Sequence, residues 1–154
     1  MMKPRVAVIQ FPGVNCEYET AEAASAAGLE ASIVRWNEDL KHVRNFDGYI
    51  LPGGFSYEDR VRAGAIAACE DIVSVISEEA QSGKPVLGIC NGAQVLVEAG
   101  LVPGTNPGQI EVALAPNRGM GRTGYYCDWT FLKLTCEPER CAVTCSLTPD
   151  AILP

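Results

Sequence analysis

The sequence predicts a doubly wound α/β domain with a mostly parallel sheet and helices on both faces, and three observations lead there. Short apolar runs alternate with helix-compatible stretches from residue 6 to about residue 99, the rhythm that builds parallel sheets. One of these runs, Val86 to Ile89, ends in Gly88-Ile89-Cys90-Asn91-Gly92 and passes directly into a helical stretch. A neighbouring run, Tyr49-Ile50-Leu51, ends in Pro52-Gly53-Gly54. Two glycine-bearing corners therefore fall on one carboxyl edge of the sheet, where α/β folds build their sites.

Taken in order, Val6 to Phe11 is a β-branched apolar run and reads as the first strand, broken by Pro12-Gly13-Val14-Asn15. Glu17 to Ala27 is rich in Ala and Glu and helical by propensity, with Asn15 as its expected cap and Gly28 as its stop. Ala31 to Trp36 reads as the second strand and Tyr49 to Leu51 as the third. Ala63 to Gln81 reads as one long helix with apolar Ile66, Ile72, Val73, Val75 and Ile76, ending at Gly83. The fourth strand and its corner follow, then a helix from about Ala93 to Ala99. The last third has a more antiparallel flavour. Gln109 to Ala115 and Tyr126 to Thr135 read as strands joined by a Gly-rich loop, 117–124, and Cys141 to Cys145 alternates like a strand.

Composition bounds the function. The 154 residues are 47% apolar and 20% charged, enough for one domain that buries roughly 70% of its unfolded surface. We expect a single domain over 1–154. The net charge of −7 argues against nucleic acid or an anionic membrane as the main partner. No apolar stretch approaches the ~20 residues of a membrane span, and Lys3 and Arg5 lead straight into a strand rather than a signal-type apolar region. With seven cysteines, an odd count, the chain is expected to be cytoplasmic with reduced thiols. Cys136, Cys141 and Cys145, with Cys127 upstream, lack the paired spacing of zinc ligands and read as structural thiols, so no metal site is expected.

The chemistry concentrates at Cys90. A Gly-x-nucleophile-x-Gly corner between a buried strand and a helix exposes one side chain at the top of the sheet, in a backbone conformation that is commonly strained. The position is also a helix N-terminus, whose unpaired N–H groups suit an anion. Free cysteines are usually buried structural residues, but this context points to a reactive thiol. Acyl transfer at such a thiol needs donors for a developing oxyanion. The main-chain N–H groups of Gly54 and Asn91 are the candidates, with Gly53 and Phe55 beside them. Gln94, about a turn into the helix, faces the same mouth and could hold an amide-bearing substrate. A general base is also required, and the single histidine, His42, precedes the third strand and so enters from the amino edge.

Four blocks in order, residues 6–17, 51–59, 62–67 and 88–94, resemble the glutamine amidotransferase subunit family of phosphoribosylformylglycinamidine synthase. The Phe55-Ser56-Tyr57 extension and Arg62-Ala63-Gly64-Ala65 go beyond what class I amidotransferases share. The resemblance implies a flavodoxin-like fold and hydrolysis of glutamine through a γ-glutamyl thioester on Cys90. It also implies an oxyanion hole at Gly54 and Asn91 and a substrate contact at Gln94. Ammonia would pass to a synthetase subunit, with a small accessory subunit completing the complex. ATP and Mg²⁺ would bind the synthetase, leaving no cofactor on this chain.

The chain departs from that family in two places. Glu58 stands where a small residue is usual, and the downstream His-x-Glu pair of the family does not follow Cys90. A C-terminally truncated domain with little glutaminase activity alone is therefore expected. Residues 104–154 follow the family loosely, through Asn117, Arg118 and Trp129. Two rival readings share the same corner. One is a DJ-1/PfpI-like cysteine hydrolase or glyoxalase, in which Glu17 or Glu19 would contact the thiol. The other is a non-catalytic structural partner of a synthetase.

Overall fold

The computed structural model describes residues 2–106, 108–115, 118–119, 121–124 and 128–154. The chain divides into two compact units, residues 1–114 and 115–154.

In the first unit, strands β1 (Arg5–Gln10), β2 (Glu30–Arg35), β3 (Gly48–Leu51) and β4 (Val86–Gly88) form one sheet in the order β2-β1-β3-β4. Every pairing is parallel, with Ala7 opposite both Ser32 and Tyr49, and Leu51 opposite Gly88. The helices are α1 (Glu17–Ala26), α2 (Leu40–Val43), α3 (Asp71–Gln81) and α4 (Asn91–Glu98). Side-chain alternation sorts the strands onto two layers. Ala7, Ile9, Tyr49 and Leu51 face a core made with Val43, Phe46, Ile72, Val73, Ile76, Val95 and Leu96. Val6, Val8 and Ile50 face the opposite way, against Ala24 of α1. Helices thus cover both faces, as the continuous apolar runs imply for parallel strands buried on both sides. The strand order changes direction between β1 and β3, the place in an open α/β sheet where sites form at the carboxyl edge, and here the loops leaving those two strands meet through an antiparallel bridge between Val14 and Gly54.

Two expectations fail in the first unit. The helix expected over Ala63 to Gln81 is only α3, from Asp71. Before it, Ala67–Cys69 forms a 3-10 turn and Glu70 is extended, with ψ 142°. The cause is Gly64, at φ +82° and packed so tightly on α4 that a Cβ there would lie 2.6 Å from Val95 N. The N-cap of α1 is Cys16 rather than Asn15, and no side chain caps it; Asn15 Oδ1 instead accepts a hydrogen bond from Cys16 Sγ.

The last third of the chain differs most. Gln109 to Ala115 contains no strand. In the expected Gly-rich loop, β5 (Arg118–Gly119) pairs antiparallel with β6 (Arg122–Thr123). Among the described residues of the expected Tyr126–Thr135 strand, only Leu132–Lys133 pairs, as β7 with β8 (Ile152–Leu153), again antiparallel. Antiparallel additions are therefore present, as short ladders at other positions. Cys141 to Cys145 is a turn: Thr144 Oγ1 donates to Pro138 O and Cys141 O, and Thr144 N–H donates to Cys141 O. That local bonding of a threonine hydroxyl competes with a strand ladder. Cys136, Cys141 and Cys145 are exposed, whereas Asn117, Tyr126 and Cys127 lie outside the described residues. Among the described residues, no three of His, Cys, Asp or Glu gather closely enough to hold a metal, and no helix is long and apolar enough to cross a membrane.

Candidate functional site

Cys90 sits between β4 and α4 with φ 53° and ψ −110°, a sparsely populated conformation for a residue with a Cβ, costing of order ~1–3 kcal/mol. Its side chain is exposed. The corner is tight because α4 begins against β3: a Cβ on Gly92 would lie 1.9 Å from Leu51 O. Ile89 N–H donates to Leu51 O at 3.0 Å, which ties the end of β4 to β3 right up to Cys90.

Asn91 is 1% exposed and fastens this corner to the loop after β3. Its Oδ1 accepts from Ser56 N–H at 3.0 Å. Its Nδ2 donates to Asp59 Oδ1 at 3.2 Å and to Gln94 Oε1 at 3.0 Å. A buried carboxamide with its acceptor and both donors engaged fixes its neighbours firmly, because each bond would be costly to leave unmade.

The loop after β3 is held equally firmly from its other side by the loop after β1. Phe55 N–H donates to Gly13 O at 3.0 Å and Tyr57 N–H to Pro12 O at 2.7 Å. Gly54 has φ +144°, and a Cβ there would lie 2.8 Å from both Asn15 N and Val14 Cα. Beyond it Tyr57, Glu58 and Asp59 are consecutively left-handed, at φ 52°, 58° and 54°. Such a run persists only where surrounding contacts over-determine it, and here the Asn91 bonds, the Pro12 bond and a Tyr57 Oη–H bond to Glu70 Oε1 do so. Burial, reinforced by Glu70, raises the Tyr57 pKa far above its ordinary value. The N–H groups of residues 55, 56 and 57 are thus all committed. The Gly54 N–H has no acceptor among the described residues, and the Asn91 N–H opens a helix, where no intrahelical acceptor exists.

A family model for the CobB/CobQ-like glutamine amidotransferase domain matches residues 3–142. The chain belongs to that glutamine amidotransferase family. The phosphoribosylformylglycinamidine synthase subunit PurQ of Methanothrix thermoacetophila is 49% identical over 154 residues, covering 97% of this chain and 58% of that protein. The PurQ subunit of Pyrococcus furiosus is 47% identical over 130 residues, covering 84% of this chain and 52% of that protein. The chain therefore spans a little over half the length of these relatives. Among solved structures, PurLQS from Thermotoga maritima aligns with a TM-score of 0.60 at 44% identity, over 65% of this chain and 46% of that one.

Within this amidotransferase corner, the sequence-derived residues converge only in part. Gly53 is buried and Phe55 is 61% exposed. Gln94 is half-buried, with its side-chain oxygen turned to Asn91. A cleft of about 430 Å³ opens beside them, lined by Pro12, Gly13, Tyr57, Glu58, Arg60 and Ile66, without Cys90 in its wall. Glu58, the departure from the family pattern, lines this cleft and pairs with Arg60.

Glu17 is buried, and its Oε1 accepts from Gln10 Nε2 at 2.6 Å while Oε2 has no partner; Glu19 is exposed. The DJ-1/PfpI-like reading is not favoured beside the family match. His42 is exposed on α2, edge-on to Phe46 at 5.3 Å, and precedes β3 at the amino edge. Sequence reasoning missed the Asn91 side chain and Cys16. The first left a sign, since Asn91 and Gln94 are polar side chains three apart on one helix face. The second left none, because the approach of the loops after β1 and β3 is purely tertiary.

Proposed function

We propose that this chain carries the nucleophile half of a glutaminase site that serves phosphoribosylformylglycinamidine synthesis. The supporting observation is the strained, exposed Cys90 locked through Asn91 to a loop whose Gly54 N–H is unclaimed. Cys90 Sγ attacks the side-chain carbonyl carbon of glutamine. The oxygen that becomes negative is received by the main-chain N–H groups of Gly54 and Asn91, donors already in place before reaction and therefore free of reorganisation cost. Collapse of the tetrahedral species expels ammonia and leaves a γ-glutamyl thioester, which water then hydrolyses. Gly53, Phe55 and Gln94 border the bound amide. Ammonia passes to a synthetase subunit that holds ATP and Mg²⁺, with a small accessory subunit in a cytoplasmic complex. This half-reaction requires no cofactor on the chain itself.

Proton transfer to the leaving nitrogen needs an imidazole at the carboxyl edge, and His42 lies at the other edge. Little steady turnover is therefore expected from this chain alone. The test uses 6-diazo-5-oxonorleucine, a glutamine-shaped electrophile, followed by peptide mapping. Cys90 should be labelled in preference to the other six thiols, and glutamine should protect it, while ammonia release stays near background. Uniform labelling of the cysteines, or labelling indifferent to glutamine, overturns the glutaminase reading. Steady ammonia release at an ordinary enzymatic rate overturns the requirement for an added base.

A further inference from the structure

The nucleophile is not the only sulfur at this corner. A Cβ placed on Gly53 would lie 3.4 Å from Cys90 Cβ and 3.6 Å from Cys16 Sγ. Those two atoms are therefore no more than 7.0 Å apart, and the space beside Gly53 is bordered also by Ile89 O, 3.8 Å from the same point. Cys16 is the half-buried N-cap of α1 and Cys90 is exposed. The convergence follows from topology: Cys16 leaves β1, Gly53 leaves β3, Cys90 leaves β4, and these strands end side by side at one edge. The Cys16 thiol is directed to Asn15 Oδ1 at 3.4 Å, a weak bond that does not hold it in place. Glycine at position 53 puts no side chain into the space that a change of staggered rotamer would have to carry a sulfur across.

We propose that Cys16 is a resolving thiol for Cys90, making the corner a reversible peroxide-modified site. Cys90 thiolate attacks one oxygen of hydrogen peroxide. An S–O bond forms, the O–O bond breaks, and the departing hydroxide takes up a proton to leave as water, giving Cys90 sulfenic acid. Cys16 sulfur then attacks the sulfenic sulfur. The S–S bond forms, the S–O bond breaks, and the hydroxide released combines with the Cys16 proton as a second water. Two thiols lose two electrons and two protons, and the peroxide is reduced to two waters. The disulfide shields Cys90 from further oxidation to sulfinic acid, which is not ordinarily reversible. It also occupies the sulfur, so acylation stops until a dithiol reductant restores both cysteines.

The experiment reads sulfur chemistry alone, so it stands or falls separately from the glutaminase reading. The reduced chain is treated with dilute hydrogen peroxide, blocked with N-ethylmaleimide and mapped by mass spectrometry. The expected product joins the peptide bearing Cys16 to the peptide bearing Cys90, with dithiothreitol regenerating both thiols. Cys90 sulfinic acid beside an alkylated Cys16, or Cys90 joined to any other cysteine, overturns the proposal. In Cys16→Ser the recovery of Cys90 by dithiothreitol should fall at least about tenfold, while alkylation of unoxidised Cys90 stays within about twofold of the parent. Undiminished recovery in that variant also overturns it.

Discussion

Apolar side chains meet opposite fates in the two units of this chain. In β1, Ala7, Val8 and Ile9 are completely covered. In β7 and β8, Leu132 and Ile152 are each 64% exposed, and Trp129 and Phe131 nearby are more so. The difference lies in what surrounds each run, since the residue types are comparable. The central strands β1 and β3 of the first unit are covered on both faces, and burial of each such large apolar side chain contributes about 1.5–3 kcal/mol. The ladders of the second unit are two residues long, and no α-helix lies among its described residues. Hydrophobicity becomes structure only where a partner of complementary periodicity exists, and the candidate site grows from the unit that has one.

The sharpest way to break this comparison is to add one methyl group to a glycine in each unit. In Gly92→Ala the new Cβ would lie 1.9 Å from a carbonyl oxygen of β3, so α4 or β3 must move. A loss of roughly 4 kcal/mol or more is expected in urea unfolding, at the upper end for single substitutions. In Gly124→Ala the Cβ meets nothing within 4 Å among the described residues, leaving the strain of φ +103°, a cost of about 1 kcal/mol. Equal losses would show that the corner is not a fixed junction.

A smaller contrast comes from removing side-chain volume. Ile76 is fully buried on α3 in the larger core, and Ile76→Ala should cost about 2–5 kcal/mol. Leu132→Ala removes a similar volume from an exposed position and should stay within about 0.5 kcal/mol. A cost of 2 kcal/mol or more at Leu132, measured by the same denaturation, would mean that the second unit owns a core of its own.

These contrasts also explain what could be read in advance. Parallel strands buried on both faces must be written as short apolar runs bounded by breakers, so β1 and β3 declared themselves through Val6–Ile9 and Tyr49–Leu51, and the edge strand β4 through Val86–Leu87 although Leu87 is 40% exposed. Cys90 was legible because a tight strand-to-helix corner leaves glycines at fixed offsets. Residues 63–70 were misread because helical periodicity carries no information about Gly64 pressing on Val95. Cys141 to Cys145 was misread because alternation is silent about Thr144 bonding to its own turn. The Asn91 side chain and Cys16 depend on which loops meet in space, and no local pattern encodes that.

Alkaline titration offers the finest probe, because one tyrosine reports on the larger core directly. Tyr49 is 1% exposed, and its Oη–H donates to Val43 O at 3.0 Å. Burial, reinforced by the charge of Glu79, pushes its pKa from 10.0 up to about 12. The folded chain therefore keeps a proton that the unfolded chain releases near its ordinary value. This contribution is fully present below pH 10, then is withdrawn as pH rises and is gone once pH passes 12. Tyr57, raised in the same direction, adds to the alkaline loss. Tyr49→Phe should cost about 1 kcal/mol at neutral pH, mainly by removing the shorter of the two bonds to Val43 O, which keeps the Phe46 N–H at 3.4 Å. Between pH 10 and 12 its stability should fall less steeply than that of the parent, so the two curves converge. Parallel curves across that interval would mean that water reaches the Tyr49 hydroxyl, and that the layer beneath α2 and α3 is looser than its packing indicates.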